Sequence, residues 1–174
     1  LEYSNHQYKA MKNAYAGHLK YSFQLRPHTV ADQAYIGAYQ GIGVGYFNFG
    51  NPEELGNPLA VYLFQGGRIA QFSPRISLNY EWNFGASFGW KPYDEYDNPE
   101  NQIIGSKVNA YLNVNLYLKW ALSPKFDLMI GATGSHFSNG NTQYPNSGLN
   151  TVDCKVGLVY NFNRRADELA QSWQ

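Results

Sequence analysis

The chain has 174 residues, the length of one domain. Its 13 basic and 13 acidic residues cancel, so the sequence lacks the basic footprint of a nucleic-acid-binding protein. Only 15% of the residues are charged and 17% are aromatic, whereas roughly 25% are charged in ordinary soluble domains. The single cysteine, Cys154, excludes an internal disulfide, and no run reaches the ~18 apolar residues of a membrane-spanning helix.

Alternation of apolar and polar residues, the pattern of β-strands, repeats along most of the chain. The clearest runs, 75–90 and 107–120, alternate large apolar residues with Asn, Ser, Gly and a few charged residues. In the third run we expect a bulge at Gly66-Gly67, before the strand ends. A helical period appears only in the tail, Arg164 to Trp173. The pattern predicts seven full strands, in segments 15–25, 35–49, 59–64, 75–90, 107–120, 126–138 and 150–162.

The connections between these strands predict a transmembrane barrel. Short turns at Ser73-Pro74 and Ser123-Pro124 alternate with long polar segments at 91–105 and 139–148, as is typical of outer-membrane barrels. Such barrels have an even number of strands, because closure leaves no unpaired edge. Residues 1–4 have the character of a strand end. We therefore expect an all-β, antiparallel eight-stranded transmembrane β-barrel whose first strand is truncated.

In this interpretation residues 1–162 form the barrel and residues 163–174 form a C-terminal periplasmic tail. Both chain ends then lie on the periplasmic side, and the loop after Ser138 lies outside the cell. The tail is unlike a barrel that ends at its final aromatic residue, here Phe162.

Alternation alone leaves open which face of the barrel points inward, and a soluble lipid-carrying barrel alternates as well. The interior of an eight-stranded barrel is just wide enough to be filled by side chains, so we expect the bulky apolar rows to face lipid. The opposite rows predict a narrow polar lumen, with His18 as an interior histidine. Inward charges are expected to form structural ion pairs and not a transport path; they are Lys20, Arg75, Glu81, Lys107, Lys119, Asp127, Asp153 and Lys155.

A cluster of three polar residues lies on the predicted lipid face, near the end of the sixth strand. His136 and Ser138 are two residues apart, so an imidazole and a hydroxyl share one face of that strand. Asn150 begins the lipid-facing row of the next strand, across the hairpin. Polar groups that face lipid are costly and are usually functional. The alternative is that these positions lie at headgroup depth, where polar residues are tolerated.

These residues suit nucleophilic ester hydrolysis. His136 would accept the proton of Ser138, which attacks a carbonyl, and Asn150 would hold the imidazole tautomer. Asn139 and backbone N–H groups near Gly140 are candidates for the oxyanion site, although Asn and Gly also favour turns. No cofactor or metal is predicted, because no His, Cys and carboxylate cluster has ligand spacing.

The segments His136-Phe-Ser138-Asn139, Pro145-Asn146-x-Gly148-Leu-Asn150 and 156–162 resemble the lipid A 3-O-deacylase family of outer-membrane barrels. The similarity is greatest to the acyloxyacyl hydrolase-like relatives of Bacteroidetes. The resemblance implies a serine esterase that removes an ester-linked acyl chain from lipid A, with His136 as base and Ser138 as nucleophile. Deacylases of the family carry a Glu at the position of Asn150.

The resemblance also implies where the protein acts and on what. The expected location is the Gram-negative outer membrane, and the expected partners are membrane lipid and lipopolysaccharide in the outer leaflet. No nucleic-acid partner is expected, and a homodimer is left open. Two alternatives to the esterase remain from the sequence. One is a non-catalytic small barrel for adhesion or envelope structure that has lost the triad acid, and the other is the soluble lipid carrier.

Overall fold

The computed structural model of the protein describes residues 13–24 and 37–164. These residues form one antiparallel sheet of seven strands, in which each strand is hydrogen-bonded to the next along the chain. The strands are β1 (Tyr15–Gln24), β2 (Tyr39–Asn48), β3 (Gly56–Ser73), β4 (Ile76–Trp90), β5 (Val108–Ala121), β6 (Phe126–Ser138) and β7 (Leu149–Tyr160). Within the described ranges, no helix is long and apolar enough to cross a lipid bilayer. The seven predicted strands and their antiparallel order are therefore confirmed.

The sheet curves until its first and last strands approach each other. Lys20 of β1 and Lys155 of β7 both pair with Glu81 of β4, the latter at 3.5 Å. The ring of Tyr21 on β1 lies 6.4 Å from that of Phe162, which follows β7. The predicted eighth strand at residues 1–4 and the tail beyond residue 164 lie outside the described residues. An even strand number and a closed barrel therefore stay predictions.

The two faces of the sheet differ in chemistry. On β4, Trp82 and Phe84 are about half exposed and point outward, whereas the intervening Asn83 is buried. The same alternation continues along β5, where Val114 is exposed and Asn113 and Asn115 are buried. The predicted orientation, with apolar rows outward and Asn-rich rows inward, is confirmed.

Four of the eight predicted interior charges, Lys20, Glu81, Asp127 and Lys155, form ion pairs among the described residues. Glu81 accepts from Lys20 and Lys155, and buried Asp127 binds Arg164 at 2.7 Å. His18 points inward as predicted, because its Nδ1 lies 2.9 Å from the hydroxyl of Tyr62, but on the outermost strand β1 it remains exposed.

Two of the predicted interior charges, Arg75 and Lys107, do not belong to the lumen. Arg75 lies in the turn between β3 and β4 and is exposed. Lys107 precedes β5 and its side chain is exposed, so it does not belong to the lumen. The strand begins only at Val108, and the alternation that assigned Lys107 to the interior does not extend into the preceding loop.

The prediction of a narrow polar lumen is wrong at the loop end of the sheet. There the interior is filled by a buried cluster that we call the aromatic plug: Phe47, Phe49, Tyr62, Trp90, Tyr111 and Phe137, with Leu55, Ile103, Ile104 and Leu149. Large rings fit because glycine lies opposite them. A Cβ on Gly43 would lie 2.5 Å from the Tyr62 ring, and one on Gly45 would lie 2.9 Å from His18.

Two local predictions are also corrected. Trp90 was assigned to the lipid face, but it is buried, stacks on Phe49 at 5.5 Å and donates from Nε1 to the Ser87 hydroxyl at 2.9 Å. The preceding Gly89 has a φ of 88°, a conformation open to glycine that breaks the alternation. In β3 the sheet register shifts between Arg68 and Ala70, after Gly66-Gly67, and the strand continues to Ser73.

The connections β2–β3, β4–β5 and β6–β7 lie at the same end of the sheet and pack together. Buried Asn101 organises them: its Oδ1 accepts from the N–H groups of Ile103 and Ile104, and its Nδ2 donates to the carbonyl of Lys91 at 2.8 Å. The N–H of Gly148 donates to the carbonyl of Ile103 at 3.2 Å. The β4–β5 loop therefore supports the loop that leads into β7.

Candidate active site

The C-terminal end of β6 presents two polar side chains on the outer face of the sheet. His136 and Ser138 are half-buried, and Phe137 between them points inward and is fully buried. The Phe137 ring lies 5.1 Å from Phe47 and 5.2 Å from Trp90 in the aromatic plug. Because successive strand residues point to opposite faces, the burial of Phe137 fixes both neighbours on the outer face.

Asn150 is brought to His136 by the register of β6 and β7, in which the two residues are direct partners. Nδ1 of His136 lies 2.8 Å from Oδ1 of Asn150. An amide oxygen only accepts hydrogen bonds, so Nδ1 carries the proton and donates it. In the neutral ring, Nε2 then carries a lone pair and can accept a proton.

Gly148, in the loop that leads into β7, lies close to the imidazole of His136. Its φ of 72° lies in the left-handed region, and a Cβ there would lie 3.2 Å from Cε1 of His136 and 3.8 Å from Cβ of Ser138. The backbone at this position is therefore in contact with the candidate site, and a side chain would press on the imidazole. In the sequence, Gly148 belongs to one of the segments that resemble the deacylase family, but no role was predicted for it.

Ser138 shares the outer face with His136, but no hydrogen bond joins their side chains among those found in the described residues. Residues i and i+2 of a strand are roughly 6.6 Å apart, so the two side chains must turn toward each other. Catalytic hydrogen bonds are often long before substrate binds and tighten in the complex. The structure thus joins His136 to Asn150 and places Ser138 beside them.

The candidate oxyanion residues are engaged in the β6–β7 loop. The N–H of Asn139 donates to Oδ1 of Asn146 at 3.2 Å, and its Nδ2 donates to the carbonyl of Gln143 at 2.7 Å. Gly140 is exposed with a φ of 65°. These contacts favour a turn role for Asn139, and the oxyanion role of the pair stays a prediction.

The site lies where the apolar outer face meets the polar loops. The outward neighbours of His136 and Ser138 on β5 are Leu112 and Ala110, and exposed Val152 follows Asn150 on β7. Among the described residues, no group of three or more His, Cys, Asp or Glu side chains could hold a metal ion. The arrangement offers a hydroxyl and an oriented imidazole beside a surface suited to an alkyl chain.

Comparison with known proteins identifies the family. No curated protein and no solved structure matches the chain significantly. The family model described as lipid A 3-O-deacylase (PagL) matches residues 2–161, nearly the whole chain and all seven strands. The chain therefore belongs to the lipid A 3-O-deacylase family.

Proposed function

We propose that the protein is a serine esterase of the Gram-negative outer membrane that removes an ester-linked acyl chain from the lipid A of lipopolysaccharide. Ser138 is the nucleophile and His136 is its base. The observation that carries the proposal is the 2.8 Å contact from Nδ1 of His136 to Asn150, beside Ser138 on the same outer face. Membership of a family of lipid A deacylases supports the substrate class.

In the proposed reaction, Nε2 of His136 takes the proton of the Ser138 hydroxyl as Oγ attacks the ester carbonyl. The tetrahedral intermediate collapses by breaking the bond to the sugar oxygen, and His136 returns the proton to that oxygen. Nε2 of His136 then takes a proton from water, which attacks the acyl-serine carbonyl. The bond to Oγ of Ser138 breaks, His136 returns the proton to Oγ, and a fatty acid is released. Backbone N–H groups near Gly140 are the candidates for stabilising the oxyanion.

The position of the site fits a substrate that is itself a membrane lipid. Exposed apolar residues cover the outer face of the sheet. Among them Leu112 on β5 lies beside His136, and Val114 follows it in the direction away from the loops. A lipid in the outer leaflet would meet Ser138 sideways, with its acyl chain along this apolar face. This requires the loop end of the sheet to face the outside of the cell.

The amide at position 150 supports a second candidate function, that of a small barrel with a structural or adhesive role in the envelope. A carboxylate in this position would stabilise the imidazolium that forms in catalysis, and an amide does not. An amide still fixes the tautomer, as in the Cys-His-Asn arrangement of some proteases. We favour the esterase because the hydrogen bond that orients the imidazole is present.

The test uses purified protein in detergent micelles with lipopolysaccharide, followed by mass spectrometry of the lipid A product. Loss of one acyl chain is expected with the unaltered protein. Ser138→Ala and His136→Asn should each lower the rate by a factor of roughly 10³ or more, while the variants keep the same β-rich circular dichroism spectrum. Identical products from the unaltered protein and Ser138→Ala would contradict the assignment, and intact lipid A with both would favour the non-catalytic barrel.

A further inference from the structure

A groove at the loop end of the sheet has no part in the reaction described above, and Ser138 is not among the residues that line it. Its volume is about 430 Å³. It lies between the β4–β5 loop and the β6–β7 loop and is lined by Pro92, Gly105, Ser106, Lys107, Val108, Thr142 and Gln143. The groove is open and partly polar, unlike the apolar face below it.

The strand register places this groove next to the candidate nucleophile. Ser138 is paired with Ala110 on β5, and Val108, the next outward residue of β5, lines the groove. On the other side, Nδ2 of Asn139 donates to the carbonyl of Gln143 at 2.7 Å, which ties the groove wall to the residue after Ser138. A molecule bound there would reach Ser138 with an adjoining group.

The only charged residue that lines the groove is Lys107. Its side chain is exposed, and no ion pair found within the described part of the chain includes it. The β4–β5 loop also carries Asp94, Glu95, Asp97 and Glu100, but none of these acids lines the groove. The charge in the groove is therefore positive and suits an anionic ligand.

We infer that this groove binds the phosphorylated sugar headgroup of the glycolipid substrate, with Lys107 contacting a phosphate group. The inference rests on the proposed function and adds a determinant of specificity to it. With the headgroup in the groove and an acyl chain along Leu112 and Val114, the ester between them lies at Ser138. Lys107 is a positioning residue, since it contacts the substrate away from the reacting atoms.

The experiment compares lipid A with the same lipid A dephosphorylated by a phosphatase, using unaltered protein and Lys107→Ala. The variant should raise KM for phosphorylated lipid A about twofold to fivefold, the range for losing one ion pair at an exposed site, and leave kcat unchanged. KM for the dephosphorylated lipid should not change. Lys107→Arg should retain the low KM. The matched control is Lys125→Ala, which removes an exposed lysine at the opposite end of the sheet.

A binding measurement separates failure of this inference from failure of the proposed function. Ser138→Ala protein in lipid nanodiscs is titrated with both lipids, with and without Lys107→Ala, so the result does not need turnover. A preference for the phosphorylated lipid that disappears with Lys107→Ala supports a headgroup site in the groove, even if the protein proves inactive. Equal affinities before and after the change, or an equal loss for both lipids, would overturn it.

Inorganic phosphate alone distinguishes a headgroup site from a site for free phosphate. It is titrated against chloride at the same ionic strength, with the intrinsic fluorescence of the protein as the readout. We expect no saturation beyond the effect of salt, because the groove is open and Lys107 is its single cation. Saturation by inorganic phosphate that is lost in Lys107→Ala would contradict the assignment to the lipid headgroup.

Discussion

His136 donates from Nδ1 to Oδ1 of Asn150 at 2.8 Å across the β6–β7 hairpin. The bond selects the tautomer that leaves Nε2 unprotonated, which is the tautomer a carboxylate in the same position would select. The amide of Asn150 carries no charge, unlike a carboxylate, so it orients the imidazole ring without stabilising the protonated form of the ring. The proposed esterase should therefore be slow relative to what its geometry would support with an acid.

Replacing Asn150 with Glu tests this directly. We expect kcat/KM on lipid A to rise by at least about tenfold. The rise should be smaller than the ~10⁴ that an Asp-to-Asn change removes in serine proteases, because that amide also imposes the wrong tautomer, whereas Asn150 already selects the productive one. Asn150→Ala should lower the rate, because nothing then orients the imidazole. The measurement is the initial rate of fatty acid release at fixed pH. If Asn150→Glu has no effect on an active protein, the orienting role of position 150 is wrong.

Gly148→Ala should damage the site more than the fold. The change strains a backbone with a φ of 72° and brings Cβ to 3.2 Å from the His136 ring. Left-handed backbone costs an ordinary residue about 1–2 kcal/mol, and the close contact should displace the imidazole and lower kcat about tenfold or more. Rates and urea unfolding midpoints are measured together.

The control for Gly148→Ala is Gly89→Ala. Gly89 also has a positive φ, 88°, but the nearest atom to an added Cβ is 3.6 Å away, an ordinary contact. It should lose similar stability and keep its activity. Equal losses of activity in the two variants would mean that the backbone strain, and not the contact with His136, is responsible.

Phe137 should link the stability of the aromatic plug to the geometry of the site. Phe137→Ala removes a fully buried ring, at a cost of about 3–5 kcal/mol in the free energy of unfolding. The same change at Phe47, which packs against Phe137 at 5.1 Å, should cost a similar amount. Only Phe137 lies between His136 and Ser138, so its variant should also lose activity under conditions where both proteins remain folded. Equal activity in the two folded variants would argue against the link.

Glu81 should be the interior group whose charge matters most for stability. It is 2% exposed and pairs with both Lys20 and Lys155. Glu81→Gln leaves two partly buried cations without their counter-ion, so the free energy of unfolding should fall by about 3–5 kcal/mol. In contrast, Glu53 and Lys91 form an exposed pair at 3.7 Å, and Glu53→Gln should cost less than about 1 kcal/mol. Urea titrations followed by tryptophan fluorescence would measure both, and similar losses would contradict the structural role of Glu81.

The sequence predicts side-chain direction accurately within a regular strand, where the direction of one residue determines that of its neighbours. Along β4 and β5 the alternation of apolar and Asn-rich positions correctly assigned the outer and inner faces, since side-chain direction in a strand is a local property. It failed at Trp90, because the left-handed Gly89 interrupts the period. It also failed at Arg75 and Lys107, which lie in a turn and a loop, where side chains do not alternate between two faces.

The sequence by itself determined the seven strands, the outward-facing apolar rows and the placing of His136 and Ser138 on one face, because each follows from a period of two residues. Only the tertiary structure decided which groups meet. The register of β6 and β7 brings Asn150 to His136, glycines on β2 make room for the aromatic plug, and two distant loops form the groove at Lys107. These contacts join residues that are separated along the chain, so they depend on how the whole sheet and its loops pack together.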